Sequence, residues 1–127
     1  ILGGRVTGFK GYMPGLYEEA INAANAKHPI YLLGGFGGAA LRLIKLIKGE
    51  TTSEKLFEEC CSNRSYQEFV SYLDKEKGEI NFKALDIFVN NMRVLNNGLS
   101  DEENDRLFVT TNVTEIIALV LKGLRSQ

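Results

Sequence analysis

Glycine is concentrated in one short stretch of the chain, Gly34-Gly35-Phe36-Gly37-Gly38. The stretch follows an apolar run over residues 30–33 and precedes an amphipathic run that begins at Ala39. A strand, a glycine-rich turn and a helix N-terminus in this order present backbone N–H groups to an anion. Four glycines in five residues cost more chain entropy than a tight turn requires. The pattern therefore predicts a backbone cradle for a phosphate, with a purely structural turn as the alternative.

Two common phosphate-binding fingerprints do not fit this stretch. The dinucleotide fingerprint needs G-x-G-x-x-G and an acidic residue about 20 positions further on, and the P-loop needs Gly-Lys-Ser/Thr after its glycines. Neither pattern is present after Gly34. The standard Rossmann dinucleotide site and the P-loop are thus both excluded.

A second pair of glycines, Gly3 and Gly4, follows the apolar start of the chain in the same way. The loop after this pair carries Arg5 and Thr7, whose guanidinium and hydroxyl groups could bind the same phosphate. Ordinary solvated loop residues are the alternative. Two predicted strands that each end in glycines, one after the other, are the strongest functional signal in the sequence.

Two carboxylates, Glu18 and Glu19, lie in the first turn of the helix predicted after Pro14. The helix macrodipole stabilises carboxylates at this position, which is the plain explanation for them. The functional interpretation is that one of them faces the ligand crevice and holds ribose hydroxyls or acts as an acid or base. If the chain is an enzyme, we expect Glu19 to be the catalytic carboxylate.

The remaining reactive residues do not form a recognisable catalytic or metal-binding pattern. His28 is the single histidine, and it precedes Pro29, so we expect it at a helix end. Cys60 and Cys61 are adjacent on an amphipathic run, where cysteines are more often core residues than nucleophiles. We expect no metal and no cofactor.

Composition places the chain among single-domain globular proteins of average character. It has 127 residues, of which 44% are hydrophobic and 24% charged. A net charge of -1 argues against a general nucleic-acid or membrane-surface binder, since such proteins carry a basic excess. Two adjacent cysteines suit a reduced, cytoplasmic protein better than a disulfide scaffold.

The elements that would position these residues alternate between strands and helices. Strands are predicted at residues 1–2, 30–33 and 107–109, and helices follow Pro14, Gly38 and Asn112. The order predicts an α/β fold, a Rossmann-like three-layer parallel sheet with a helical insertion over residues 50–98. Since only three strands are predicted and the first residue already fits one, we expect residues 1–127 to be the C-terminal part of one larger domain. The basic residues of the helix after Gly38 are expected on its solvated face; they are Arg42, Lys45 and Lys48.

The stretch from Gly3 to Ala20 (GGRVTGFKGYMPGLYEEA), together with residues 29–39, resembles the SLOG superfamily. This superfamily unites the lonely-guy phosphoribohydrolases, the DNA-processing protein A family and nucleotide-sensor domains of bacterial defence. In the phosphoribohydrolases, Pro-Gly-Gly-x-Gly-Thr-x-Glu-Glu lies at the same junction. Here Pro14-Gly15 and Glu18-Glu19 match its ends, but Leu16-Tyr17 replaces the Gly-Thr centre. The altered centre favours nucleotide binding over hydrolysis.

The segment from Leu99 to Phe108 resembles the sensor-type branch of the superfamily, often fused to TIR or sirtuin-like effector domains. The resemblance implies a cytoplasmic sensor of an ADP-ribose-like or cyclic nucleotide signal in bacterial defence. Its expected partners are that small molecule, an effector domain upstream and further copies of the chain, but no membrane and no nucleic acid. The ligand-binding residues would be Gly3, Gly4, Arg5, Thr7, Glu18, Glu19, Gly34, Gly35, Phe36, Gly37 and Gly38.

Two other functions fit the same residues. One is a nucleotide phosphoribohydrolase or N-glycosidase with Glu19 as its catalytic carboxylate. The other is an oligomerisation module in which the glycine turns serve only structure.

Overall fold

The computed structural model describes residues 1, 3–6, 13–73 and 82–127, with only the backbone for residues 69–73. The α-helices in these ranges are α1 (Gly15–Asn25), α2 (Gly38–Ile47), α3 (Ser53–Cys61), α4 (Arg64–Leu73), α5 (Asp101–Val109) and α6 (Val113–Arg125). Short 3-10 helices lie at Gly34–Phe36, Ala84–Phe88 and Met92–Leu95. Leu2 and Thr7 lie outside the described residues.

The predicted Rossmann-like parallel sheet is wrong for this structure. The described ranges hold helices, turns and extended segments but no β-strand, only a single bridge residue at Leu33. Ile1 lies beside the extended segment 30–33: its amino group donates to Tyr31 O at 2.8 Å, and Leu33 N–H donates to Ile1 O at 2.8 Å. One such pairing does not make a sheet, which needs several neighbouring strands.

The other edge of the extended segment is satisfied by a turn and a side chain instead of a strand. Ile30 N–H donates to Leu95 O at 2.7 Å, and Ile30 O accepts from Asn97 Nδ2 at 2.8 Å. Asn97 also donates to Asn104 Oδ1 at 2.7 Å, and both amides are buried. Because buried backbone groups must find partners, this amide pair fulfils the role that a neighbouring strand would have in a sheet.

The third predicted strand, residues 107–109, is the last turn of α5. A capping box begins this helix: Ser100 Oγ accepts from Glu103 N–H, and the Glu103 carboxylate accepts from Ser100 N–H. The helix buries Leu107 and Phe108 but leaves Val109 64% exposed, whereas a central strand would bury all three. A short apolar run cannot by itself distinguish a buried strand from the end of a helix.

One hydrophobic core joins the first helices to the segment 50–98. The Tyr17 ring of α1 meets Phe82 edge-to-face at 6.1 Å between ring centroids, and Phe82 meets Phe57 of α3 at 5.2 Å. Such aromatic pairs stabilise beyond the area that they bury. The boundaries of the predicted insertion remain a prediction. Other members of the buried cluster are Met13, Ala20, Ile30, Leu32, Ala39, Leu43, Ile44, Leu46, Ile47, Leu56, Cys60, Tyr66, Leu85, Phe88, Leu95 and Phe108.

Candidate ligand-binding site at the start of the second helix

The predicted glycine turn lies directly before α2. Residues 34–36 form a 3-10 turn, Gly37 follows with φ 69° and ψ -149°, and Gly38, also at φ 69°, begins the helix. Residues other than glycine rarely adopt the backbone conformation of Gly37. The turn therefore aims the N-terminus of α2 in a direction that only glycine permits.

The first amides of α2 already have acceptors. Ala39 N–H donates to Gly4 O at 3.2 Å, and Ala40 N–H donates to Gly3 O at 2.9 Å. Backbone carbonyls thus take the place that an anion takes at an open helix N-terminus. The two predicted glycine-rich segments meet here, and the carbonyl groups of Gly3 and Gly4 cap the N-terminus of α2.

Close backbone packing accounts for three of the four glycines in the turn. A Cβ atom on Gly38 would lie 2.6 Å from Gly4 O, and one on Gly35 would lie 2.6 Å from Thr110 O. A Cβ atom on Gly34 would collide with Phe108 O. Gly37 alone of the four would meet nothing within 4 Å. Close packing alone therefore explains why Gly34, Gly35 and Gly38 are glycines, as the structural interpretation of the turn requires.

The N-termini of α1 and α2 converge on this loop. An added Cβ atom on Gly4 would lie 3.1 Å from Ala39 Cβ and 3.3 Å from a Leu16 methyl group, each on the second residue of its helix. Glu18, in the first turn of α1, and Glu19, directly after it, are both exposed, so the prediction that both lie in the first turn is correct for Glu18 alone. Burial lowers the pKa of the Ile1 amine, and Glu19 opposes this shift, so the Glu19 carboxylate is near the start of the chain.

The other predicted ligand-binding residues are placed as follows. Arg5 is exposed on the loop after Gly4, and Phe36 is 48% exposed at the tip of the turn. Thr7 is outside the described residues, so its role stays a prediction. The described site residues thus belong to the loop at Gly3–Arg5, the glycine turn and the N-terminal part of α1.

Arg42 is a charged residue at this site that the sequence did not single out. Its Nε and Nη2 atoms donate to the two Glu59 carboxylate oxygens at 2.6 and 3.1 Å, and its Nη1 donates to Gly38 O at 3.0 Å. The hydrogen bond to Glu59 raises the pKa of Arg42. The guanidinium therefore ties the start of α2 to the end of α3.

The prediction that the basic residues of α2 lie on its solvated face is correct for Lys45, which is exposed. It is wrong for Arg42, whose side chain is only 26% exposed. Lys48 Nζ forms an ion pair with Asp105 Oδ1 at 2.8 Å and lies 5.8 Å from the centroid of the Phe108 ring. Arg42 follows Gly38 by four residues, and this helical spacing is the sequence signal that places it next to the glycine turn. Its partner Glu59 is 17 residues away, and the sequence does not reveal that contact.

Two ionisable groups beneath the site are held neutral by burial. Burial raises the pKa of the Tyr17 phenol, and it raises the pKa of the Cys60 thiol to about 12. Cys60 is 1% exposed, and its Sγ lies 3.8 Å from Val6 O. A thiol in this state is not a nucleophile at neutral pH, so the prediction of Cys60 as a core residue is confirmed.

His28 follows the end of α1, where its N–H donates to Ala23 O at 2.9 Å, as the prediction of a helix-end residue requires. The described residues contain no group of three His, Cys, Asp or Glu side chains that could hold a metal. No helix in the described ranges has the length and apolar character to cross a membrane.

A cavity of about 540 Å³ lies away from the glycine turn. Three carboxylates, Glu54, Glu58 and Asp86, line it with one lysine, Lys83, and Ser53 Oγ donates to Asp86 at 2.6 Å. An excess of negative charge disfavours a phosphate there. The remaining lining residues are Thr52, Phe57, Cys61 and Phe82.

A family model described as SLOG cluster2 matches residues 1–107. The chain therefore belongs to the SLOG superfamily, as its motifs predicted, and the match spans the glycine turn, its capping loop and nearly all of α5. Family membership is consistent with binding or processing of a nucleotide-related ligand. Searches of curated proteins and of solved structures found no match to the chain.

Proposed function

We propose that this chain binds a nucleotide-derived ligand, ADP-ribose-like or cyclic, at the glycine turn and acts as a sensor domain. The observation that carries the proposal is the convergence of α1 and α2 on Gly3-Gly4 in a SLOG chain. Two helix N-termini aimed at one loop favour negative charge there. The sensor acts in the cytoplasm in bacterial defence and signals to an effector domain.

Each part of the ligand has a matching group. The phosphates lie at the Gly37-Gly38 backbone beside exposed Arg5, which adds a charge-assisted hydrogen bond. The base stacks on the exposed Phe36 ring, as bases do on aromatic side chains. Ribose hydroxyls donate to Glu18 or Glu19.

Binding at α2 also acts on the capping loop. Because Ala39 and Ala40 already donate to Gly4 and Gly3, a phosphate that uses these two amides displaces the loop carbonyls. The loop position therefore reports ligand occupancy. Arg42 donates to Gly38 O and to Glu59, so it connects this turn to α3 and could pass the change on to that helix.

The stacking role is tested by calorimetry with ADP-ribose, cyclic ADP-ribose and AMP on the wild type and on Phe36→Ala. A lost stacking contact weakens binding by about 1–3 kcal/mol, or roughly 5- to 150-fold in Kd. Ile87→Ala is the matched control, since Ile87 is also a partly exposed apolar side chain, at 37%. Absence of binding for all three ligands would overturn the proposal.

The phosphate role of Arg5 is tested with Arg5→Gln and, as a control, Arg93→Gln, which removes another exposed arginine. We expect Arg5→Gln to weaken ADP-ribose binding by about 1.5–3 kcal/mol and to reduce its dependence on salt. Equal effects of the two variants would mean that only net charge matters and that Arg5 does not contact the ligand.

The enzyme alternative makes a different prediction. A phosphoribohydrolase or N-glycosidase would release free base from AMP or NAD, and Glu19→Gln would abolish the release while Glu18→Gln would not. Chromatography of the reaction separates the two functions. Turnover lost only in Glu19→Gln would replace the sensor by the enzyme.

A further inference from the structure

The cation beside the glycine turn is paired with a carboxylate of the chain itself. Arg42 Nε and Nη2 donate to the two Glu59 carboxylate oxygens at 2.6 and 3.1 Å, in the paired geometry that a guanidinium also offers to two oxygens of a phosphate. Its third hydrogen bond, from Nη1 to Gly38 O at 3.0 Å, keeps the guanidinium next to the backbone proposed to hold the ligand phosphate. Glu59 therefore occupies the same donors on Arg42 that a phosphate uses.

Glu59 lies at a position where a helix disfavours a carboxylate. It belongs to the last turn of α3, and the C-terminal end of a helix carries the negative end of the macrodipole. A cation is the side chain that this end favours, and Arg42 of α2 supplies one from outside the helix. The position of the Glu59 carboxylate thus depends on Arg42.

The other ionisable groups that interact with Arg42 are neutral. Burial raises the pKa of the Tyr17 phenol, and it raises the pKa of the Cys60 thiol to about 12, so neither group balances the charge of the guanidinium at neutral pH. Glu59 raises the pKa of Arg42, mainly through their hydrogen bond. Once Glu59 moves away, the guanidinium is a cation that favours another anion.

The ion pair is open to exchange because solvent reaches both partners. The side chains of Arg42 and Glu59 are 26% and 40% exposed. Ion pairs of this kind are weak, since water screens both charges and the side chains lose entropy. A diphosphate or a phosphate monoester carries about two negative charges at pH 7, against one for a carboxylate. A phosphate is therefore the stronger partner for the guanidinium.

The backbone beside Arg42 is satisfied within the chain in the same way. Ala39 and Ala40 N–H donate to the carbonyls of the capping loop. An anion that approaches Gly38 thus meets two internal competitors, the loop carbonyls for the amides and Glu59 for the guanidinium. Glu59 is the charged one of the two, so its removal has a direct electrostatic effect on anion binding.

We propose that Arg42 is a phosphate-binding residue of the ligand site and that Glu59 is its internal competitor, released when the ligand phosphate takes the guanidinium. This role of Arg42 rests on the proposed function. Release leaves Glu59 at the negative end of the α3 macrodipole without its cation, so the last turn of α3 loosens as the ligand binds. Arg42 and Glu59 thereby couple ligand binding to α3.

Calorimetry with ADP-ribose, cyclic ADP-ribose and AMP on charge-neutral variants tests the competition. Glu59→Gln should tighten binding by about 3- to 10-fold, because a weak competitor is gone. Glu58→Gln is the matched control: it removes the same charge from the neighbouring, exposed position of α3 and should change Kd by less than about 2-fold. Arg42→Gln should weaken binding by about 10-fold or more. Circular dichroism shows that each variant keeps its helix content.

A double variant separates competition at Arg42 from a change in net charge. In the Arg42→Gln background, Glu59→Gln should no longer tighten binding, because the guanidinium that Glu59 occupies is absent. Equal effects of Glu59→Gln and Glu58→Gln, or tightening that persists without Arg42, would overturn the competition while ligand binding itself stands. Absence of binding in wild type and in every variant would overturn the proposed function and the competition together.

Hydrogen exchange on the wild type keeps the proposal falsifiable if a variant is poorly folded. Amides in the last turn of α3 should exchange faster at saturating ADP-ribose than without it, because Glu59 has lost its partner. Amides in the last turn of α6 are the control and should exchange at the same rate in both conditions. Unchanged or slower exchange at the end of α3 in the bound protein would contradict the release of Glu59.

Discussion

The glycine turn and the last helix handle their surfaces in opposite ways. At the turn, the polar groups that a sequence offers to a ligand already have partners: Ala39 and Ala40 donate to Gly4 and Gly3. On α6, four apolar side chains at helical spacing remain exposed, at 62%, 53%, 45% and 51% for Val113, Ile117, Leu121 and Leu124.

The difference teaches that a motif defines what a segment is able to bind, while packing decides what it binds within the chain. At the turn, the N–H groups at the start of α2 are complementary to the carbonyl groups of Gly3 and Gly4, so these groups form hydrogen bonds with each other. On α6, the ion pairs of Glu115 and Lys122 with α5 and the close packing of Gly123 hold one side of the helix to the protein, and apolar side chains on the other side stay exposed. Each prediction below weakens one side of this comparison.

The largest effect is expected at Gly38. Gly38→Ala adds a Cβ atom 2.6 Å from Gly4 O at φ 69°, and backbone strain with the collision should lower the free energy of unfolding by about 3 kcal/mol or more. Gly37→Ala meets open space but keeps the strained backbone, so we expect about 1–2 kcal/mol. Urea titration followed by circular dichroism measures both.

Gly15→Ala is the control for this series. Gly15 has open space around its Cβ position and no positive φ, so its substitution should change stability by less than about 0.5 kcal/mol. If Gly38→Ala cost no more than Gly37→Ala, the carbonyls of Gly3 and Gly4 would not be packed against α2.

The next effect is expected at the buried amide pair. Asn104→Ala removes the acceptor of Asn97 Nδ2 and leaves a buried polar group short of a partner, which costs about 1–3 kcal/mol. Denaturant unfolding measures the loss, and Asn22→Ala, at an exposed position of α1, should cost far less. An equal loss in both variants would mean that the pair does not support the extended segment at Ile30.

The start of the last helix was predicted from the sequence, because capping is local chemistry. The Asn112 side chain accepts from the N–H three residues later, as expected for a residue that caps this helix. The parallel sheet was predicted wrongly because the apolar run at residues 107–109 fits a strand or a helix end equally well. What decides between them is the capping box that begins α5 and the contact of Phe108 O with Gly34.

The contacts that shape the candidate site are long-range, and one sequence does not encode them visibly. The glycine turn and its Gly3-Gly4 partner were each predicted, but not that one caps the helix after the other. Arg42 was assigned to solvent because nothing near it in sequence identifies Glu59 as its partner.

A smaller effect is expected at Arg42. Arg42→Gln removes a bidentate ion pair and the hydrogen bond to Gly38 O, and since Glu59 is 40% exposed, we expect a loss of only about 1 kcal/mol. Thermal unfolding in low and high salt measures it, with Lys45→Gln as the control on the same helix. A loss as small as that of Lys45→Gln would mean that the start of α2 does not depend on α3.

The smallest effect concerns the ion pairs that orient α6. Hydrogen bonding to Lys122 lowers the pKa of Glu103, and hydrogen bonding to Arg106 lowers that of Glu115, both from an ordinary 4.5. A carboxyl whose pKa is lower in the folded state contributes stability above its ordinary pKa and loses it as pH falls through the lowered value. Acidification should therefore loosen α6 from α5 before the uncharged contacts at the glycine turn are affected.

Urea unfolding at about pH 6 and about pH 3.5 measures this dependence. The double variant Glu103→Gln, Glu115→Gln should show less loss on acidification than wild type, because it has no carboxylates to protonate at these positions. The side-chain amide introduced by Glu103→Gln keeps an oxygen acceptor for Ser100 N–H, so the capping box survives as a hydrogen bond. Glu102→Gln, at an exposed position of α5, should keep the wild-type pH dependence. An unchanged pH dependence in the double variant would mean that the orientation of α6 depends on its other contacts, such as the close packing at Gly123, and not on these ion pairs.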